Sequence, residues 1–273
     1  MALEHGFVRQ IFDQPDVLRR SLQHNDAATR ALARRWAGKV DRVVLVGCGD
    51  PYMHAVNAAY AFEEWAGIPA ESLEAAEFAL YRYKLVNEHT LVVLITSSGK
   101  TVKVIDAARL CRPLGAQMVA VTNAAEGPIT KEVEHILLTQ AGKSEGFPTK
   151  QSTTALAVIL QLVLALAEES GKLPPAEVTR LRRELYEDVP KAVEEALKLD
   201  AQMKDLAQKL PDESIYTFIG SGPDYATALI AAAKMKEICN SRSQASNLEE
   251  FGHLFQFSMH KQDTFFLITR SDI

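Results

Sequence analysis

The chain has 273 residues, 47% hydrophobic and 24% charged, enough apolar material for a real core and too much for a disordered tail. Its formal net charge of −5 excludes a whole-molecule electrostatic grip on nucleic acid. Three dispersed cysteines, Cys48, Cys111 and Cys239, contain no Cys-x-x-Cys pair, which excludes a disulfide framework and a structural zinc site and points to a reducing, cytoplasmic setting.

The start, Met1-Ala2-Leu3-Glu4-His5-Gly6, lacks a basic segment followed by an apolar run, so no signal peptide is expected. Residues 1–38 read as a helical segment with Gly38 as its stop. Strand–turn–helix units follow. Arg42–Val46 is a strand, Gly47-Cys48-Gly49 a turn, and Asp50 with Pro51 opens a helix running to about Trp65. Leu91–Ile95 is the next strand, Thr96-Ser97-Ser98-Gly99 a turn, and Thr101 to about Leu114 a helix ended by Gly115. Gln117–Thr122 and His135–Leu138 are further strands. Lys150–Glu169 is a helix whose apolar stretch, Ala155–Ala167, is too short to span a bilayer and belongs in a core or subunit interface. Residues 173–210 read as a charged helical connector. Ile215–Ile219, Gly220-Ser221-Gly222 and Asp224–Cys239 then restart the pattern, and Thr264–Thr269 is a second strand. Strands alternating with helices predict an α/β fold with a parallel, flavodoxin-like sheet flanked by helices.

The restart is an internal repeat. With an offset of 173 residues, Gly47, Gly49, Tyr52, Ala55, Ala58, Ala59 and Glu64 fall on Gly220, Gly222, Tyr225, Ala228, Ala231, Ala232 and Glu237. The predicted organisation is a first domain over 39–172 and an incomplete second one over 211–273. A parallel sheet of two strands cannot bury both faces. Either the chain is truncated or the missing edge comes from elsewhere.

The turn Thr96–Thr101 lies between a strand and a helix, where open parallel sheets bind ligands. Its hydroxyls, its backbone N–H groups and the helix N-terminus favour an oxyanion such as phosphate, though the same residues also describe an ordinary capped helix start. Ser98-Gly99-Lys100-Thr101 looks like the end of a Walker A loop, but that motif needs glycine where Leu94 stands, so an ATPase is excluded. Gly47-Cys48-Gly49 is a weak dinucleotide signal because Tyr52 occupies the third glycine position. The two glycines let the backbone turn tightly near a ligand.

These turns, the repeat, Gln10-Ile11-Phe12-Asp13-Gln14-Pro15 and Lys234-Met235-Lys236-Glu237 together resemble the sugar isomerase (SIS) domain family. Within it, the chain is similar to the isomerase module of glutamine–fructose-6-phosphate transaminase and to fructosamine-6-phosphate deglycases. The resemblance implies two SIS domains, the second incomplete, a sugar 6-phosphate ligand, no metal or organic cofactor, and a homodimer with a shared site. It implies Glu237 as the base moving a proton between C1 and C2, His253 as the ring-opening group, and phosphate or sugar contacts at Gly49, Thr96, Ser97, Ser98, Gly99, Thr101, Thr149 and Lys150. Lys234, one turn before Glu237, is placed to stabilise an enediolate oxygen. Glu250, three residues before His253, is expected to orient it or to act as a second carboxylate.

Departures from the family pattern are Pro51 for a Ser or Thr, Thr96 for Ser, Lys100 for Glu, Leu254-Phe255 for Gly-Pro, and a one-residue-shorter Gly146–Ser152 segment. No amidotransferase domain is expected before residue 10, so glutamine-derived ammonia is not expected either. The expected activity is fructosamine-6-phosphate deglycation or ketose–aldose isomerisation. The alternatives are a non-catalytic sugar-phosphate sensor and a purely structural pairing through the Ala155–Ala167 helix. Neither a nucleic acid nor a membrane is an expected partner.

Overall fold

The computed structural model describes residues 2–144, 146–210 and 215–270. The expected boundary at Pro211 and the closing residues 271–273 lie outside them. The chain divides into two compact units, residues 1–195 and 196–273.

The first unit opens with helices α1 (Ala2–Phe12) and α2 (Gln14–Trp36), the second carrying Pro15 in its first turn, where a missing N–H costs nothing. Five strands follow: β1 (Arg42–Gly47), β2 (Ala70–Glu74), β3 (Thr90–Ile95), β4 (Gln117–Thr122) and β5 (His135–Leu138). All pair in parallel in the order β2-β1-β3-β4-β5, a flavodoxin-like sheet that reverses direction between β1 and β3. Helix α3 (Asp50–Ala66) joins β1 to β2, and the short helix α4 (Ala75–Glu77) runs into helical turns before β3. Helix α5 (Val102–Cys111) follows β3, and α6 (Lys150–Glu169) follows β5.

Residues of β1 and β3 alternate between two cores, as period-two strand geometry requires. Val43, Leu45, Leu91 and Val93 face the layer containing α2, α3 and α6, while Val44, Val46, Val92 and Leu94 face the α5 layer. Each such buried side chain stabilises the fold by roughly 1.5–3 kcal/mol. Helix α6 is long and apolar enough to cross a membrane, but 78% of its most apolar window is buried inside the protein. Ala155, Val158, Ile159 and Leu162 pack with Trp36 and Phe62, which makes α6 a core helix of this unit.

Three details depart from the reading of the sequence. The helix expected from Thr101 to Leu114 ends at Cys111 and continues as a 3-10 turn, because Pro113 cannot donate to the ladder. Strand β2 was not expected: Ala-Glu-Ser-Leu-Glu carries one buried side chain, Leu73, and pairs only along β1. The segment expected as a connector is partly core. Helix α7 (Pro175–Arg183) buries Val178 and Leu181 against Leu164, and Leu185 packs with Leu18 and Leu22. Helix α8 (Val189–Leu197) runs across the boundary between the units, and α9 (Asp200–Ala207) belongs to the second.

The second unit holds β6 (Tyr216–Gly220), α10 (Pro223–Cys239), β7 (Ser243–Asn247), α11 (Leu248–His253) and β8 (Thr264–Leu267). Its sheet is parallel in the order β7-β6-β8. The two-stranded sheet expected there is therefore three-stranded; the polar run Ser243–Asn247 hid β7. The same 173-residue offset maps α3 onto α10 and β2 onto β7 end to end, and the glycines before the two helices share one conformation, φ 64 and ψ −135 at Gly49 against φ 57 and ψ −133 at Gly222. Tyr216, Phe218, Ala228 and Ala232 form the unit's core, with Phe218 stacked on Phe266 at 4.8 Å between ring centres.

Candidate functional site

The carboxyl ends of β1, β3, β4 and β5 meet the N-termini of α3, α5 and α6 in the first unit. After β1, Gly49 adopts a positive φ and accepts the N–H groups of Tyr52 (2.9 Å) and Met53 (3.1 Å). A Cβ on Gly47 would lie 2.7 Å from the Pro51 carbonyl carbon, so the tight exit from β1 needs glycine there.

After β3, the expected oxyanion turn is built by internal bonds. Gly99 N–H donates to Thr96 O (3.2 Å), Lys100 N–H to Ser98 Oγ (3.2 Å), and Asn123 N–H to Ser97 O (3.1 Å). Gly99 has φ +66, and a Cβ on it would sit 3.1 Å from Gly127 Cα. Thr96 is 1% exposed, and its hydroxyl lies 2.9 Å from that of Thr101. Thr101 caps α5 with its backbone only, so its side chain takes none of the first-turn N–H groups. Those groups and the helix dipole favour an anion. Ser97 and Ser98, rather than the buried Thr96, face a cleft of about 480 Å³, together with Asn123, Lys143, Ser144 and Gln151.

The N-terminal segment holds the far wall of this cleft. Gln10 Nε2 donates to Phe147 O (3.1 Å), and its Oε1 accepts Ser144 Oγ (3.2 Å) and Thr149 N–H (3.4 Å). Thr153 Oγ1 donates to Gln14 Oε1 (2.6 Å). Lys150 Nζ pairs with Asp13 at 2.8 Å, its side chain 12% exposed. Thr149 thus bonds Gln10 through its backbone N–H, its hydroxyl buried without a partner among the described residues, and Lys150 faces Asp13. Asn123, Lys143 and Ser144 escaped the reading of the sequence, and Gln151 entered it only as part of the 146–152 segment. Only Asn123, directly after a strand end, carried a positional signal.

Beside the cleft lies a buried polar cluster. Ser152 Oγ donates to Asp50 Oδ2 (2.9 Å), and His54 Nε2 lies 2.6 Å from the same hydroxyl. It fastens the N-terminal turn of α3 to that of α6. Cys48 Sγ donates to Glu74 Oε1 at 3.0 Å. Burial, then the Glu74 carboxylate, push the Cys48 thiol up to about 11. Burial alone pushes Cys111 up to about 12. Burial acts to raise Glu74, but the Cys48 thiol and the backbone N–H groups of Glu77, Ala76 and Ala75 outweigh it and hold the carboxyl below its usual value. A thiol reagent such as DTNB at pH 8 is therefore expected to modify the exposed Cys239 first, with Cys48 and Cys111 reacting only on unfolding. Rapid modification of two thiols in the native protein would contradict this.

The second unit carries the expected proton-transfer residues. On α10, Lys234 Nζ and Glu237 Oε2 are 2.8 Å apart, one helical turn separating them, with Glu237 34% exposed. On α11, His253 is 75% exposed, and the carboxylate at its Nε2 is that of Glu249, at 3.6 Å. Helical i,i+4 spacing puts Glu249 on the histidine's face. Glu250, expected in that place, offers its backbone carbonyl to Leu254 N–H at 2.9 Å. Among the described residues, no three His, Cys, Asp or Glu side chains converge as metal ligands.

Residues 38–165 match the SIS domain family. The isomerizing glutamine–fructose-6-phosphate aminotransferase of Symbiobacterium thermophilum is 33% identical over 258 residues, covering 91% of this chain and 42% of that protein. Its counterpart in Clostridium tetani is 31% identical, with 92% and 42% covered. The chain thus spans about two fifths of the length of these relatives. The C-terminal domain of glucosamine-fructose-6-phosphate aminotransferase from Francisella tularensis superposes with a TM-score of 0.89 at 24% identity, over 96% of this chain and 75% of that one. Tagatose-6-phosphate ketose/aldose isomerase from Escherichia coli superposes at 0.76 with 15% identity, over 95% and 71%. At these identities the superpositions speak for the fold.

Proposed function

We propose, on the premise that residues 38–165 match the SIS domain family, that the chain is a sugar-phosphate enzyme acting by proton transfer between C1 and C2. The observation that carries the reading is the β3–α5 turn, whose Ser97 and Ser98 open onto the cleft beyond the carboxyl ends of β3 and β4. A phosphate there accepts the two hydroxyls and the first-turn amides of α5, an arrangement of fixed donors needing no reorganisation.

In this reading Glu237 takes the C1 proton of an open-chain ketose phosphate, leaving an enediol that is reprotonated at C2. Lys234 stabilises the oxygen at C2 as charge develops on it. His253 exchanges protons with the ring oxygen and the anomeric hydroxyl, a task suited to an imidazole, whose two ring nitrogens can donate and accept. With fructose 6-phosphate the outcome is isomerisation. With a fructosamine 6-phosphate, reprotonation at C2 leaves a C1 imine that water cleaves to glucose 6-phosphate and an amine. Deglycation and isomerisation are the two outcomes this reading favours, and we read the second unit as a second SIS-type unit on the strength of its matching offset with the first. A cytoplasmic homodimer completes the reading.

A second reading, a sugar-phosphate sensor without turnover, draws on the 75% exposure of His253. Exchange of solvent deuterium into C1 of fructose 6-phosphate separates the two readings, because a sensor binds without exchanging.

A further inference from the structure

We infer that Lys143 is the cation that anchors the ligand's phosphate in this cleft. The inference rests on the phosphate reading above and names the residue that neutralises the anion. Resemblance pointed to Lys150, and Lys100 sits on the turn itself. Lys150 is engaged by Asp13 at 2.8 Å, and Lys100 does not line the cleft. Lys143 does line it, together with Ser97 and Ser98. Among the described residues no carboxylate lies within ion-pairing distance of Lys143.

The backbone presenting Lys143 is held on both sides. Gly142 O accepts Asn123 Nδ2 at 2.7 Å and Gln151 Nε2 at 3.4 Å, and Ser144 Oγ donates to Gln10 Oε1 at 3.2 Å. Gly142 itself has φ +69, a backbone state glycine adopts freely. Fixing both neighbours lowers the entropy cost of holding the ammonium over the cleft.

An independent observation marks the same cleft as a ligand site. Gln151 is 2% exposed, and its Oε1 has no hydrogen-bond partner among the described residues. A buried acceptor left without a donor is costly, and a ligand hydroxyl supplies one. The cleft thus joins hydroxyl donors and a cation without a carboxylate partner among the described residues to an acceptor for a hydroxyl, the combination a polyol phosphate satisfies.

Lys143 is exposed, so its replacement leaves folding intact. Lys143→Ala, Lys143→Arg, Lys100→Ala and Ser98→Ala are titrated by calorimetry with inorganic phosphate and with fructose 6-phosphate. Lys143→Ala is expected to weaken both ligands by about tenfold or more, the loss of a charge-assisted bond. Lys143→Arg is expected to retain most of the affinity, and Lys100→Ala to change it by less than about twofold. Unchanged affinity in Lys143→Ala, with Ser98→Ala weakened, overturns the assignment while leaving the phosphate site in place. Loss of fructose 6-phosphate alone overturns it too, because the lysine would then touch the sugar. Failure of the wild type to bind either ligand removes the phosphate reading itself, and the inference with it.

Discussion

Glu237→Gln is expected to lower turnover of fructose 6-phosphate or a fructosamine 6-phosphate by about 10²–10⁴-fold, the range that a positioned general base contributes. The carboxamide keeps the size of the side chain and an oxygen for Lys234, now 2.8 Å from Glu237 Oε2. It cannot accept the C1 proton. The pair is partly exposed, and such pairs contribute about 0–1 kcal/mol to stability, so the melting temperature should barely move. Phosphate affinity should also be unchanged, because the phosphate residues lie on the first unit. This combination isolates the chemical step from folding and binding. Steady-state kinetics beside a thermal melt check it, and full activity in the variant contradicts the assigned base.

The second large effect is expected from Gly99→Ala. The residue sits at φ +66, a backbone state costing an L side chain roughly 1–2 kcal/mol. The added Cβ would lie 3.1 Å from Gly127 Cα and 3.2 Å from Ala124 Cβ. Gly127 cannot yield easily, since its backbone and that of Gly99 are already in close approach and Ile129 N–H is bonded to Gly99 O at 3.0 Å. The turn must shift, carrying Ser98 and the start of α5 away from the anion position. A fall in phosphate affinity of at least about tenfold is expected, with a lower melting temperature of about 2–4 °C per kcal/mol lost. Isothermal titration and a melt read the two effects. A variant that binds phosphate like the wild type would show that the turn is not the anion site.

How much of this was legible in the sequence depended on side-chain chemistry. Strands β1 and β3 are Val, Leu and Ile runs, and β4 carries Met-Val-Ala-Val, because both of their faces are buried, so they stand out. Strands β2 and β7 lie at sheet edges and carry Glu, Ser, Gln and Asn, so no apolar run announced them. The repeat was visible through Gly47, Gly49, Gly220 and Gly222, whose tight strand-to-helix turns tolerate no Cβ at Gly47 or Gly220.

The site was legible only where chemistry and local spacing coincide. Ser97, Ser98 and Gly99 are consecutive, and Lys234 and Glu237 are one helical turn apart, so both groups could be named. Lys143 and Gln151 reach Ser98 through tertiary folding, and the Asp50–Ser152–His54 cluster joins residues about a hundred positions apart along the chain. The choice between lysines was not legible for the same reason. Nothing local distinguishes Lys150, tied to Asp13, from Lys143, which faces the cleft. Likewise Glu250 is nearer His253 in sequence, but helical geometry turns Glu249 toward the ring.

The most direct measurement is incubation of the full chain with fructose 6-phosphate in deuterium oxide, followed by proton NMR of the sugar's C1 position. Proton transfer through Glu237 predicts loss of C1 proton signal as solvent deuterium enters, with the rate collapsing in Glu237→Gln. A C1 signal that stays at full intensity, while calorimetry shows fructose 6-phosphate bound, would contradict the enzyme assignment and leave a sugar-phosphate binding protein in its place.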